Sequence, residues 1–201
     1  MSSNKKPYAE ACDQNALHIL KVLQQYLPKQ GELLEIGSGT GQHAVIFAEA
    51  FPDLIWWTSD KTEMHQGIQM WIDESDCSNL RAPIALDVLH DAWPAQQFDA
   101  IYSANTAHIM PVEAVEAMFA GVANILKSDA LFLIYGPFMY NGEHTSESNL
   151  RFDRWIRSWE PHRGIRDVVW LKEIAESHGL VLDNDIAMPE NNRTLVWRKQ
   201  Q

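Results

Sequence analysis

Cysteine is nearly absent: Cys12 and Cys77 stand alone, in neither a metal-ligand nor a redox spacing. That excludes a disulfide framework and makes a reducing, cytoplasmic location the expectation. The eight histidines form no H-E-x-x-H or comparable ligand pattern, so no metal is expected. Basic residues are scarce too, 16 Lys+Arg against 27 Asp+Glu, for a net charge of −11. Such a field repels phosphate backbones, so no nucleic-acid partner is expected, while Arg151, Arg154, Arg157, Arg163 and Arg166 sit close together and leave a local anion site open. Long apolar runs are missing: the longest, residues 130–140, is interrupted by Gly136 and Pro137 and is too short to cross a bilayer. Residues 1–10 are polar with two lysines, so neither a signal peptide nor membrane association is expected. There is no repeat, low-complexity tract or linker. What remains, 46% hydrophobic and 21% charged over 201 residues, predicts one globular domain spanning residues 1–201.

The apolar pattern alternates between two periods. Ala16, Ile19, Leu20, Leu23 and Leu27 recur at helical spacing until Pro28 stops them. A short run, Leu33 to Ile36, ends in a glycine-rich turn, and residues 42–51 then read as a helix. Residues 54–58 are β-rich and close at Asp60, and Thr62 is expected to cap a helix carrying Met64, Ile68, Trp71 and Ile72. Further strands are expected at 82–86, 98–103 and 130–135, with a helix through Val115, Met118, Phe119, Val122 and Leu126 between the last two. This alternation predicts an α/β, Rossmann-like fold: five parallel strands with helices on both faces. Helices are then expected around Phe152–Trp159 and residues 168–178. The strands 180–186 and 194–198 follow with no helix between them. They predict a C-terminal antiparallel hairpin, for seven strands in a mixed sheet. Most of the eight tryptophans read as core packing rather than an aromatic cage.

The turn after the first strand reads Glu35-Ile36-Gly37-Ser38-Gly39-Thr40-Gly41. Glycines there let backbone approach a ligand, and the helix N-terminus beyond presents free N–H groups. A dinucleotide loop reads G-x-G-x-x-G, but Gln42 stands where its third glycine belongs, which argues against a dinucleotide oxidoreductase. Asp60 lies 19 residues past Gly41, close to the spacing of about 20 at which an acid meets a ribose hydroxyl.

The E-x-G-x-G-x-G form resembles motif I of class I S-adenosylmethionine-dependent methyltransferases. More narrowly, "TSESN", "GIRD" and "MPENNRTLVWR", with the loop, resemble the methyltransferase-like 26 family from about Ala11 to Arg198. The resemblance implies S-adenosylmethionine as cofactor, held by Glu35, Gly37, Ser38, Gly39, Gly41, Asp60, Asp87, Val88 and Asn105. Asp87, at the end of the third strand, matches the position facing the adenine amino group. No substrate comes with the resemblance.

In an open α/β sheet the ligand crevice lies outside the carboxyl ends of the strands, at the switch between strands one and four. Asn105 and His108 follow strand four, so they are the candidate catalytic residues. Asn105 matches the place where many such enzymes orient an acceptor nitrogen, yet the aromatic neighbour of N-P-P-Y motifs is missing. His108 is either a general base or a helix-capping, half-buried histidine. The polar loop 140–149 follows strand five, where the resemblance places a substrate lid, and Asn141, Glu147, Ser148 and Asn149 are its candidate acceptor contacts. Ser146 or Ser148 can also cap the next helix. Arg166 faces either an anionic acceptor or the neighbouring Asp167. The reading is methyl transfer to a small soluble acceptor; the alternative is a non-catalytic binder of S-adenosylmethionine or S-adenosylhomocysteine that regulates a partner.

Overall fold

A computed structural model describes residues 5–201. Helix α1 (Glu10–Tyr26) buries Ala16, Ile19, Val22 and Leu23, and ends as Leu27 turns extended ahead of Pro28. Strand β1 (Gly31–Ile36) leads into α2 (Gln42–Ala50), then β2 (Leu54–Asp60). Thr62 does not cap the next helix as expected. A 3-10 turn over Thr62–Met64 precedes α3 (His65–Asp73), because the Asp60 carboxylate takes the Lys61 N–H and turns the chain early. Strands β3 (Leu80–Ala85) and β4 (Phe98–Ala104), helix α4 (Val112–Ile125) and strand β5 (Leu126–Gly136) complete the parallel part.

These strands stand in the order β3-β2-β1-β4-β5, extended by β10 (Arg193–Lys199) and then β9 (Leu180–Ala187) at the edge. The pairings from β1 to β5 are parallel, and β10 runs antiparallel to both neighbours. The result is the expected seven-stranded mixed sheet with helices on both faces. Period two sorts each strand's side chains: Phe132 and Ile134 face α4 and α6 (Val168–Ser177), while Leu131, Leu133 and Tyr135 face α1 and α2. Both faces being covered is why β5 reads as an unbroken apolar run over residues 130–135. Phe119, fully buried between Phe132 and Trp197, anchors one layer, and truncating it to alanine would cost about 3–5 kcal/mol.

Two features escape the periodicity. Strands β6 (Phe138–Tyr140), β7 (Glu143–His144) and β8 (Arg166–Asp167) form a small second sheet, so residues 140–143 are a hairpin turn. Helix α5 (Glu147–Trp159) begins well before Phe152, with Ser146 as its N-cap accepting from the Asn149 N–H at 3.1 Å. Trp56 and Trp197 are fully buried, but Trp155 and Trp159 are exposed, because α5 packs through Asn149, Asp153 and Ile156 instead. Among the described residues no helix is long and apolar enough to cross a membrane.

Candidate functional site

A cavity of about 1440 Å³ opens at the carboxyl edge of β1, β2, β4 and β5, where the strand order reverses. Sites for one drug-sized ligand run to about 300–1,000 Å³, so this space suits a cofactor and a second molecule together. Its floor is the glycine loop. At Gly39 (φ 59°) an added Cβ would meet nothing within 4 Å, so the loop presents bare backbone to open space. Gly41 (φ 91°) serves packing instead: a Cβ there would lie 3.0 Å from the Ile68 Cα. Gln42, fully buried, accepts from the Ala9 N–H at 2.5 Å and donates to Asp13, so it ties α1 down over the loop.

The acidic residues fill three environments. Asp60, at the end of β2, accepts from the Gly39 and Lys61 N–H groups at 2.8 and 2.7 Å; burial raises its pKa against those hydrogen bonds. Burial alone would raise the pKa of Asp87 too, but the Leu89 N–H and Lys61 outweigh it and the net shift is downward. Val88 and Leu86, both buried, line the same region. Glu35 is 2% exposed and accepts from Ser38 Oγ and Trp56 Nε1, each at 3.1 Å. Burial pushes its carboxyl up to about 7, with the charge of Asp60 adding to the shift.

Asn105 and His108 converge on one spot. An added Cβ on Gly136 would stand 3.6 Å from His108 Nδ1 and 4.0 Å from Asn105 Oδ1. Asn105 holds a positive φ of 57°, the sort of backbone strain that gathers at functional turns. His108 is 7% exposed, lies edge-on to Phe152, and its ring has no hydrogen bond to the described residues. Burial first, then Arg166 and Arg163, lower its pKa to about 4, so the ring is neutral at pH 7.

Ser148 and Asn149 reach this cavity from the first turn of α5. Asn149 donates to Thr145 Oγ1 and to the Asn191 carbonyl, linking α5 to the β9–β10 loop. Not every expected residue lines the space. Glu147 is exposed and pairs with Arg151, and Asn141 sits in the β6–β7 turn with a positive φ. Arg166 is buried behind the wall, where its guanidinium donates to the carbonyls of Ala107, Met110 and His162. Several lining residues carried no local signal: Cys12 and Asn15 from α1, Tyr135 at the end of β5, and Glu190 and Asn192 in the β9–β10 loop; Arg163, from the arginine cluster, lines the space as well. Asn15 accepts from or donates to His43 Nε2 at 2.7 Å, and Asn15 and Asn192 both act to lower the Tyr135 pKa against its burial. Burial pushes the Cys12 thiol up to about 11 and holds His43 down at about 4.

Solved structures share this architecture. An O-methyltransferase family protein from Burkholderia thailandensis superposes with a TM-score of 0.81 at 14% identity, covering 96% of this chain and 58% of that one. Human N-acetylserotonin methyltransferase, in complex with S-adenosylmethionine, gives 0.78 at 13% identity, covering 96% of this chain and 53% of that one. An O-methyltransferase family 2 protein from Planctomyces limnophilus, in complex with apigenin, gives 0.79 at 14% identity over 94% and 60%. The chain thus spans a little over half the length of these structures, and the likeness is one of fold. A family model described as "protein of unknown function (DUF938)" matches residues 6–199. The chain therefore belongs to the DUF938 family, and its fold is that of the class I methyltransferases.

Proposed function

We propose that this chain is an S-adenosylmethionine-dependent methyltransferase that modifies a small acceptor. The observation that carries the reading is a single cavity lined at one end by the glycine loop, Asp60, Asp87 and Val88, and elsewhere by Asn105, His108, Ser148 and Asn149. The first group fits an adenosyl ligand. Open backbone at Gly39 can meet the amino-acid tail, Asp60 has lone pairs for a ribose diol, and Val88 offers apolar contact beside Asp87 for a purine. When bound, the cofactor supplies a methyl group already activated on a sulfonium.

The chain's own residues then have to position and shield. Asn105 and His108 hold the acceptor where their side chains converge, and alignment is the chief contribution to rate. A histidine kept neutral at about 4 orients a partner through an N–H rather than taking its proton efficiently. Ser148, Asn149 and Phe152 form the side of the cavity that excludes water. A non-catalytic binder needs only the adenosyl end, so the second polar group supports an enzyme. The narrower resemblance to the methyltransferase-like 26 family, a small-molecule rather than nucleic-acid acceptor, and a cytoplasmic setting belong to this same reading.

Isothermal titration with S-adenosylmethionine and S-adenosylhomocysteine is the direct test. Binding of both, followed by methyl uptake into small thiols, amines or carboxylates, supports the reading; binding of neither overturns it. Asn105→Ala should lower transfer at least about tenfold while changing S-adenosylhomocysteine affinity little, the signature of a lost transition-state contact.

A further inference from the structure

Arginines gather beside His108 in a molecule of net charge −11, interleaved with the carboxylates of Asp153 and Glu160, which pair with Arg157 and Arg163. Five arginines fall within residues 151–166, and two of them, Arg163 and Arg166, act on the His108 ring. Arg166 is 6% exposed, and its hydrogen bonds go to three backbone carbonyls rather than to a carboxylate. The carboxylates of Asp153 and Glu113 act on it from nearby, so Arg166 adds its field behind the wall while Arg163 alone of the pair reaches the cavity. Arg163 lines the cavity, spends one nitrogen on Glu160 at 2.8 Å, and keeps a buried Nε without any hydrogen-bond partner. His108, more than nine-tenths buried, adds an unpartnered ring facing the same space. Glu190, the cavity carboxylate on the β9–β10 loop, acts on Tyr135 and is not among the charges shifting His108. Apolar surface continues outward from this spot: Phe152 and the exposed Ile109 line the cavity, and Trp155 and Trp159 extend the Phe152 ring along α5.

We infer that the acceptor is an organic carboxylate with an apolar or aromatic body, its anionic head held by Arg163 and His108 and its body laid against Phe152 and Ile109. The inference rests on the methyltransferase reading and names the acceptor class within it. A carboxylate accepts a charge-assisted hydrogen bond from a guanidinium N–H, and a neutral imidazole N–H serves the same head. The chemistry balances without a base. A carboxylate oxygen forms a bond to the methyl carbon as the carbon–sulfur bond breaks, and the electron pair of that bond stays on sulfur. The products are a methyl ester and S-adenosylhomocysteine, and no proton is released. An acceptor ionised at neutral pH accounts for a site whose histidine is a weak base.

The test is calorimetry on protein saturated with S-adenosylhomocysteine, using 3-phenylpropanoate, its amide and 3-phenylpropylamine as probes. The acid should bind at least about tenfold more tightly than the amide or the amine. Arg163→Gln should remove that preference, and Arg163→Lys should restore part of it, as expected for a charge-assisted contact. S-adenosylhomocysteine affinity, unchanged in both variants, certifies their folding. Cofactor binding with no preference for the acid, or a preference that survives Arg163→Gln, overturns this inference and leaves the methyltransferase reading intact. Failure of the wild-type protein to bind S-adenosylhomocysteine overturns both.

Discussion

Glu35 is a carboxylate placed where a doubly covered parallel strand favours an apolar side chain. Its two donors, Ser38 and Trp56, offset only part of the desolvation, and the carboxyl rises from 4.5 to about 7. Between those values the native state binds more protons than the unfolded chain, so this group makes stability fall as pH rises. His43 and His108 do the reverse: depressed to about 4, they make stability rise between about 4 and 6.5. Glu35→Gln isolates one contribution, because the histidines cancel in the comparison. The unfolding free energy of the variant relative to wild type should grow by about 3 kcal/mol from pH 4.5 to above pH 7, at about 1.4 kcal/mol per pKa unit. Urea titrations at both ends of that range measure it, and a difference flat with pH would mean that Glu35 titrates as a solvated acid. Asp60 makes a different prediction. Its carboxylate keeps lone pairs beyond those given to Gly39 and Lys61. Asp60→Ala should therefore weaken S-adenosylhomocysteine by about 1.5–3 kcal/mol, the range for hydrogen bonds to a charged group, with circular dichroism unchanged. Equal affinity in calorimetry would remove Asp60 from the ribose.

Helix α5 is the element that carries the acceptor end, and its first turn is held by one cap. Ser146→Ala removes the acceptor for the Asn149 N–H and should cost about 1 kcal/mol of stability. Fraying there would loosen Ser148 and Asn149, and with them the link from Asn149 to the Asn191 carbonyl. Amide exchange should then quicken in residues 147–150 while the glycine loop keeps its protection; uniform quickening would place the effect in global stability instead. This element also marks where the sequence stops being legible. Runs such as Leu33–Ile36 and Ala130–Tyr135 declare buried parallel strands on their own, and the pair Ser146 and Ser148 offers a cap, which the structure assigns to Ser146. Strands β6 to β8 do not, since two- and three-residue strands have no period and exist through the pairing of Phe138 with Arg166. Trp155 and Trp159 match the helical spacing of a core stripe but lie off the packed side of α5, which only the tertiary arrangement determines. Arg163 and Arg166 look alike in sequence, yet one lines the cavity and the other is turned to carbonyls behind it. Asn15 and Asn192 lie 177 residues apart, and nothing local to either announces that both line one cavity with Tyr135.

At the scale of the whole molecule, the cavity is where otherwise separate pieces meet. The glycine loop follows β1, Gln42 fastens α1 across it, Asn105 and His108 follow β4, and the β9–β10 loop reaches in beside α5. A ligand that fills the adenosyl end contacts groups assembled only in the native state, so it stabilises the whole fold by linkage. At a concentration of about 100 times Kd, S-adenosylhomocysteine should add about 2.7 kcal/mol. For a chain of this length that corresponds to a rise in Tm of about 5–10 °C. NAD should produce no rise. Its pyrophosphate would need the third glycine of a dinucleotide loop, and that position is Gln42, fully buried and already hydrogen-bonded to Ala9 and Asp13. Differential scanning calorimetry with each ligand in turn separates the cases. A rise with S-adenosylhomocysteine alone agrees with the loop geometry, whereas a rise with NAD alone would mean that the space above Gly39 serves a dinucleotide and that the methyl-transfer reading is wrong.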